Sequence, residues 1–394
     1  MTAAETIREN DPGATIGIIS DEPHQLYSRV LLPAYLKKKV RREQLFLRKV
    51  DDFTQKRIDL RLDEKVLFVD PQKREVGLHN NAIVGYEKLL VASGGRVKPW
   101  GQEVDQEFIY RLQTLDDADR FLSALDTIKR PLVVGGSFIS LEFLDIFVLN
   151  SITSILLFRG KHFFSKILDA QGGEILRTNF ERHGIAIYQE DSIAQIARRD
   201  GALEVDTKAL RRITCDSIAV GIGIDRSLEF LSGSGIELGE SGIKTDEFLK
   251  TNKDGVFAAG DAAEFYDVIR GKHRSVGNWT NAFLQGKIAG LNMVGKKEPF
   301  QNVSAYSITN LGFQITVLGE CDSELDNIVR VDETKNQYER LFFQEGVLVG
   351  AAMINRFQDK PHLSRLIEQR ANFDKYRDKM KGFEFDIREI LALD

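Results

Sequence analysis

Cysteine is scarce in this sequence: Cys215 and Cys321 are the only two in 394 residues, and neither belongs to a C-x-x-C pair. That excludes a Cys-ligated iron–sulfur cluster, a four-Cys zinc site, a dithiol redox pair and a disulfide scaffold. The six histidines show no H-x-x-x-H or comparable ligand spacing, so no metal site is expected. No apolar run approaches the ~18 residues of a membrane span, and no signal-peptide core opens the chain. Excess positive charge is lacking too. The 54 Lys and Arg against 59 Asp and Glu leave a net charge of −5, which argues against a nucleic-acid binder. What remains is a 42% hydrophobic chain, long enough for two or three domains with buried cores. The reading is a reduced, cytoplasmic protein with neither nucleic-acid nor membrane partners.

Short apolar runs alternate with helical segments, which is the α/β pattern. Residues 14–20, 88–92, 131–135, 154–158, 217–221 and 256–260 read as buried strands, and 115–127, 142–150 and 172–183 as helices. Near Phe300 the pattern changes. Residues 314–319, 338–343 and 346–355 read as antiparallel strands, 361–370 as a helix, and 373–393 carries charge and aromatics at helical spacing.

The central segment PLVVGGSFISLE runs from Pro131 to Glu142: an apolar strand, two glycines, then a helix. Such glycines permit a tight bend and let backbone N–H groups approach a pyrophosphate, with the helix N-terminus facing the phosphates. Ser137 and Ser140 stand where further glycines are expected. The acid expected about 20 residues on, to hold the adenosine ribose hydroxyls, is replaced by Phe158, followed by Arg159. Weak nucleotide binding with little preference between NADH and NADPH follows as an expectation, as does recovery of NADH preference in Phe158→Glu.

Three further segments strengthen the pattern. YEKLLVASGG ends in Ala92, Ser93, Gly94 and Gly95, TNKDGVFAAGD delivers Gly260 and Asp261, and NWTNAFLQGKIAG carries small residues at helical spacing. The carboxylate of Asp261 can accept hydrogen bonds from sugar-like hydroxyls, and a following helix N-terminus can face phosphate.

At these residues the chain resembles the FAD-dependent pyridine nucleotide-disulfide oxidoreductases, flavoproteins with two dinucleotide-binding domains. It is most similar to rubredoxin reductases and the flavin domain of NAD(P)H-nitrite reductases. The family's tyrosine–small–basic pattern is matched by Tyr27-Ser28-Arg29, its A-[ST]-G-G by Ala92-Ser93-Gly94-Gly95, and its G-D by Gly260-Asp261. The resemblance implies two Rossmann-like domains plus a small C-terminal α+β interface domain. Their expected extents are 1–108 with 224–299 for FAD, 109–223 for NAD(P), and 300–394 for the last. It implies FAD held by Glu22, Arg29, Val66, Ala92, Ser93, Gly94, Glu142, Gly260, Asp261 and Trp279, with Asp261 on the ribityl chain and Arg29 near the isoalloxazine. NAD(P)H falls to Gly135, Gly136, Ser137, Phe138, Ile139, Phe158 and Arg159. No side chain is assigned a catalytic role, because the chemistry belongs to the cofactor.

The implied activity is electron transfer from NAD(P)H through flavin to a small redox protein or a redox-complex subunit, in a possible homodimer. The alternative is a non-catalytic partner subunit that keeps the fold for interaction alone. Family members open with a strand and a G-x-G-x-x-G turn, whereas this chain begins MTAAETIRENDPGA, which looks like the helix that follows that turn. The expectation is a start at an internal methionine, leaving the N-terminal strand and phosphate loop out of the sequence. The stretch after Tyr27 has no cysteine, unlike that of disulfide reductases and NADH peroxidases. Ala34 stands where several relatives carry a polar or basic group, and Arg226 replaces a proline. The run Lys37-Lys38-Lys39 with Arg41-Arg42 reads as a solvated loop, or as a basic collar for an acidic carrier.

Overall fold

The apolar run at 131–135 forms strand Pro131–Val134, and the helix behind its glycines is Phe138–Leu149. The computed structural model describes residues 1–101, 105–199, 201–387 and 390. These divide into two compact units, one comprising Met1–Leu31, Val40–Arg96 and Ile224–Ser304, the other Leu32–Lys39, Val97–Gly223 and Ala305–Asp394.

In the first unit, helix Thr2–Asn10 packs lengthwise against helix Trp279–Met293. Small residues make this approach possible: a Cβ on Gly290 would lie 2.8 Å from the Ala3 carbonyl oxygen and 2.9 Å from Thr6 Cβ. Strand Ile16–Ile19 runs parallel to Ile58–Arg61, and Leu89–Val91 runs parallel to Val256–Ala258. A three-stranded meander, Val66–Asp70, Glu75–Leu78 and Ile83–Gly85, shares an apolar core with Val91, Val256 and Ala258. After Gly260 the chain makes one 3₁₀ turn and enters strand Ala263–Asp267. The helix expected directly behind Asp261 is therefore absent, and the next helix starts at Trp279.

The second unit is built on a five-stranded parallel sheet in the order Ala186–Tyr188, Ile155–Leu157, Pro131–Val134, Ser217–Val220, Ile109–Tyr110. An antiparallel meander, Ile193–Arg199, Ala202–Thr207 and Arg212–Cys215, shares its core. Cys215 is buried there, and desolvation pushes its thiol up to about 12, so it behaves as a small hydrophobe. Helix Leu115–Ala124 starts at a reciprocal cap, in which Asp117 N donates to Thr114 Oγ1 and Thr114 N donates to Asp117 Oδ2. Helix Phe138–Leu149 is apolar on most sides and buried from Ser140 to Phe147.

A second sheet in this unit is antiparallel, in the order Ala305–Asn310, Phe313–Gly319, Val347–Ile354, Gln337–Gln344, Asp326–Asp332, with helix Lys360–Glu368 packed on it. It meets helix Ala170–Arg182 closely: a Cβ on Gly172 would fall 2.9 Å from the Tyr338 ring. The stretch beyond Phe373 is not the helix its spacing suggested. Its described part forms turns and one 3₁₀ turn, Lys379–Lys381, and residues 388–389 and 391–394 lie outside the described residues. Arg330 fixes this segment. It is ion-paired with buried Glu339, donates to the Phe385 carbonyl at 3.1 Å, and lies over the Phe383 ring.

Candidate functional site

In the first unit, the strand pair Leu89–Val91 and Val256–Ala258 ends in the two motifs singled out above. Ala92 and Ser93 are exposed, and Gly94 and Gly260 both hold left-handed backbone conformations. Gly260 N donates to Gln285 Oε1 at 2.7 Å, while Gln285 Nε2, fully buried, has no partner. Beside it stands Asp261. Among the described residues no donor reaches its carboxylate, and a Cβ on Gly277 would lie 3.3 Å from Oδ2. Burial raises the Asp261 carboxyl above the ordinary carboxylate range, against the opposing pull of Arg226 and Arg29. Arg226, in place of the family's proline, also donates from Nε to the Asp261 carbonyl at 2.5 Å.

Two of the other candidates meet nearby in sequence. Glu22 accepts from Tyr27 Oη at 2.5 Å and is ion-paired with Arg29. Val66 is partly buried against the Val91 and Ala258 core rather than drawn to a polar group. Trp279 is 51% exposed at the first position of its helix and stacks on Phe283, ring centroids 5.3 Å apart.

The tenth flavin candidate, Glu142, lies in the second unit, where it belongs to a buried charge cluster. Lys37 Nζ reaches Glu142 Oε2 at 2.8 Å, Asp145 Oδ2 at 2.7 Å and Asn310 Oδ1 at 2.8 Å, using all three donors. Its side chain is 7% exposed, so this lysine is neither a solvated loop residue nor part of a surface collar. Burial pulls its ammonium down, but the charges of Glu142 and Asp145 outweigh burial and hold it above the ordinary lysine value. Asp145 also accepts from Leu311 N at 2.8 Å. Tyr306, burdened by burial and by the Glu142 charge, is pushed up to about 12.

The glycine turn of the second unit is built as the sequence implied, with its polar groups turned inward. Gly135 has φ +118°, and a Cβ there would lie 2.2 Å from the Gly221 carbonyl oxygen, so only glycine fits. Gly136 is exposed. Ser137 caps its own helix, accepting from Ser140 N, and its Oγ donates to the Gly221 carbonyl at 2.7 Å. Phe138 opens the helix and packs its ring on Phe164 and Tyr306, each centroid 4.6 Å away, while Ile139 is half-buried. Phe158 is 4% exposed and meets Phe163 edge-on. Arg159 is exposed and lines a cleft of about 260 Å³ with Glu190, Asp191 and Lys208.

Sequence reasoning missed Lys37, Asp145, Asn310, Arg226 and Gln285 as site groups. One signal was available: Asp145 follows Glu142 by three residues, which on a helix places both carboxylates on one face. Among the described residues no group of His, Cys, Asp and Glu could hold a metal ion. No helix among them is long and apolar enough to cross a membrane.

The sequence profile of the pyridine nucleotide-disulphide oxidoreductases matches residues 1–286, and that of the rubredoxin NAD+ reductase C-terminal domain matches residues 307–371. The chain belongs to the pyridine nucleotide-disulphide oxidoreductase family. Membership makes it an oxidoreductase with FAD and NAD(P)H as its cofactors. It is 27% identical to the 3-phenylpropionate/cinnamic acid dioxygenase ferredoxin–NAD(+) reductase component of Photorhabdus laumondii, covering 93% of this chain and 92% of that protein. It is 26% identical to apoptosis-inducing factor 3 of Mus musculus, over 90% of this chain but only 59% of that longer protein. Its fold matches the covalent putidaredoxin reductase–putidaredoxin complex with a TM-score of 0.91 at 20% identity, covering 100% of this chain and 95% of that one. The two Rossmann-like regions and the C-terminal domain expected from the family are thus the fold of this chain.

The residues of the first unit fit FAD. A half-buried carboxylate beside Gly260 offers an acceptor and the buried Gln285 amide offers an unused donor, so together they suit a ligand that carries hydroxyl groups and polar acceptors.

Proposed function

We propose that this chain is an FAD-dependent reductase that takes hydride from NAD(P)H and passes electrons to a small redox protein of the ferredoxin or rubredoxin class. The single observation that carries the reading is Asp261: a desolvated carboxylate without a hydrogen-bond donor, held between Gly260 and Gly277 in a family of flavoproteins. The ferredoxin reductase component and the rubredoxin reductase C-terminal profile support the acceptor class.

FAD supplies the two-electron to one-electron conversion, accepting a hydride and releasing its electrons singly. The chain's own residues bind and orient. In this reading Asp261 accepts from the ribityl hydroxyls, while Arg226 and Arg29 favour its ionised form. Ala92, Ser93 and Gly94 offer backbone at close approach, and Glu22 holds Arg29 in place through its ion pair. Val66 and Trp279 would offer apolar surface to a bound flavin. Gly135 and Gly136 leave room for phosphate at the Phe138 helix N-terminus.

Residues 1–108 with 224–299 form the FAD domain, 109–223 the nucleotide domain, and 300–394 the interface domain of a homodimer. The chain works in the cytoplasm, and its flavin-binding region resembles the flavin domain of nitrite reductases.

The test is anaerobic visible spectroscopy of the purified, FAD-loaded protein. NADH or NADPH is expected to bleach the flavin band, and a small one-electron carrier to restore it. A protein that binds no flavin, or whose flavin neither nucleotide bleaches, overturns the reading in favour of the partner-subunit alternative.

A further inference from the structure

The adenosine end of a dinucleotide is ordinarily held by a carboxylate at the end of the second strand. In this chain that position is taken by the buried ring of Phe158, beside a cleft of about 290 Å³ that Lys161, His162 and Gln189 also line. Phe158 follows strand Ile155–Leu157, and its stem lies against the turn: a Cβ on Gly136 would be 3.7 Å from Phe158 Cβ. Its ring is edge-on to Phe163 at 5.7 Å, and Phe163 is edge-on to Phe164 at 4.6 Å and to Phe180 at 5.1 Å. Phe164 holds φ +56°, a left-handed conformation that costs an aromatic residue free energy and persists only where packing compels it. The loop after the strand is folded back so that Phe163 and Phe164 cover the end of strand and turn together, and Phe164 also reaches Phe138 at the first helical position.

The neighbouring carboxylates do not take over the task. Asp191 is spent within the protein, accepting from Ser192 N at 2.7 Å, Ala209 N at 3.0 Å and Arg211 Nη1 at 2.6 Å. Glu190 is exposed, on a residue with φ +54°, and shares its cleft with Arg159 and Lys208, whose charges offset its own. The phosphate-facing part of the turn is a different matter. Gly136 is exposed, and the N–H groups at the start of a twelve-residue helix have no intrahelical acceptor.

We propose that this chain recognises its hydride donor by the nicotinamide, its ribose and one phosphate, and leaves the adenosine half ungripped, so that reduced nicotinamide mononucleotide serves about as well as NADH or NADPH. The inference builds on the reading that a reduced nicotinamide nucleotide is the donor. Selectivity for a hydroxyl is gained from a polar group that suffers when the hydroxyl is missing; the buried Phe158 ring, at the position of the usual carboxylate, is no such group.

Two measurements on the FAD-loaded protein test it and separate its failure from failure of that reading. Calorimetric titration with adenosine diphosphate ribose, which lacks nicotinamide, is expected to show no saturable binding below about 1 mM. Anaerobic flavin bleaching by NADH, NADPH and reduced nicotinamide mononucleotide is expected to give second-order rate constants within about fivefold of one another. Micromolar binding of adenosine diphosphate ribose overturns the proposal, and its loss in Glu190→Gln would assign the grip to Glu190. A hundredfold or greater advantage of NADH over the mononucleotide overturns it equally. If no donor bleaches the flavin, the reductase reading falls, and the titration alone still decides whether the adenosine half is held.

Discussion

The two glycine-bearing motifs, one in each unit, differ in where their polar groups point. In the first unit the buried Gln285 Nε2 has no partner in the protein, and the half-buried Asp261 carboxylate beside it is raised in pKa by desolvation. In the second, Ser137 spends its hydroxyl on its own helix and on Gly221, Phe158 packs into an aromatic cluster, and Lys37 is saturated by Glu142, Asp145 and Asn310. Unmatched polarity in a folded core costs stability and is kept where a ligand repays it. The satisfied groups are those of the turn and of Lys37 itself, since Asn310 Nδ2 and Ser154 Oγ in the same unit are buried without a partner. Substitutions should therefore trade stability against binding in the first unit and cost stability outright in the second.

The largest effect is expected at Phe158. Phe158→Glu removes a buried ring and places a carboxylate among Phe163 and its neighbours, so a loss of about 5 kcal/mol is expected by denaturant unfolding. Recovery of NADH preference is not expected, contrary to the reading from sequence alone, because the side chain faces the cluster rather than a ribose. A stable, NADH-selective Phe158→Glu variant would show that the aromatic cover opens readily.

Next comes Lys37. Lys37→Met leaves Glu142 and Asp145 facing each other in a buried site, with an expected cost of about 4 kcal/mol. Adding Glu142→Gln and Asp145→Asn should recover most of it in a calorimetric scan. The pH signature follows from the raised lysine value: the stabilisation is complete below the ordinary lysine pKa of 10.5 and is lost as pH climbs through the higher folded value. Wild type should lose this increment under alkaline conditions, and the triple variant should not.

Ser137→Ala removes a helix cap and the bond to Gly221, for an expected loss of about 1 kcal/mol in chemical denaturation. Nucleotide affinity should barely change, since this hydroxyl already faces inward. A clear fall in affinity without loss of stability would place the hydroxyl on the ligand instead.

The smallest effect has the opposite sign. In the flavin-free protein the folded pKa of Asp261 lies above its ordinary value of 3.8, so ionisation costs the native state stability. That cost is absent below the ordinary value and complete above the folded one. Asp261→Asn should therefore melt slightly higher than wild type near neutral pH and equally at strongly acid pH. A lower melting point at neutral pH would mean the carboxylate already has a partner.

Much of this was legible locally. An apolar run, two glycines and a serine cap specify the strand, turn and helix at 131–149 without help from the rest of the chain. Gly290 and Gly286 likewise signal a close helix contact, which Thr2, Ala3 and Thr6 provide. What stays hidden depends on distant partners. The strand Ile58–Arg61 reads IDLR and is a strand because Ile16–Ile19 lies beside it. Lys37, within a run of three lysines, looks solvated, and its burial is decided by Glu142, 105 positions away. Phe158 stands directly after strand Ile155–Leu157, but its inward turn depends on the strained loop at Phe164, which no periodicity announces.

The most direct test of the contrast between the units is a calorimetric titration of FAD into the flavin-free protein, wild type and Asp261→Asn, near neutral pH. The account predicts one saturable site in wild type and affinity weakened about ten- to hundredfold in the variant, the worth of a charged hydrogen bond. Equal affinities for the two proteins, or no binding by wild type, would contradict it.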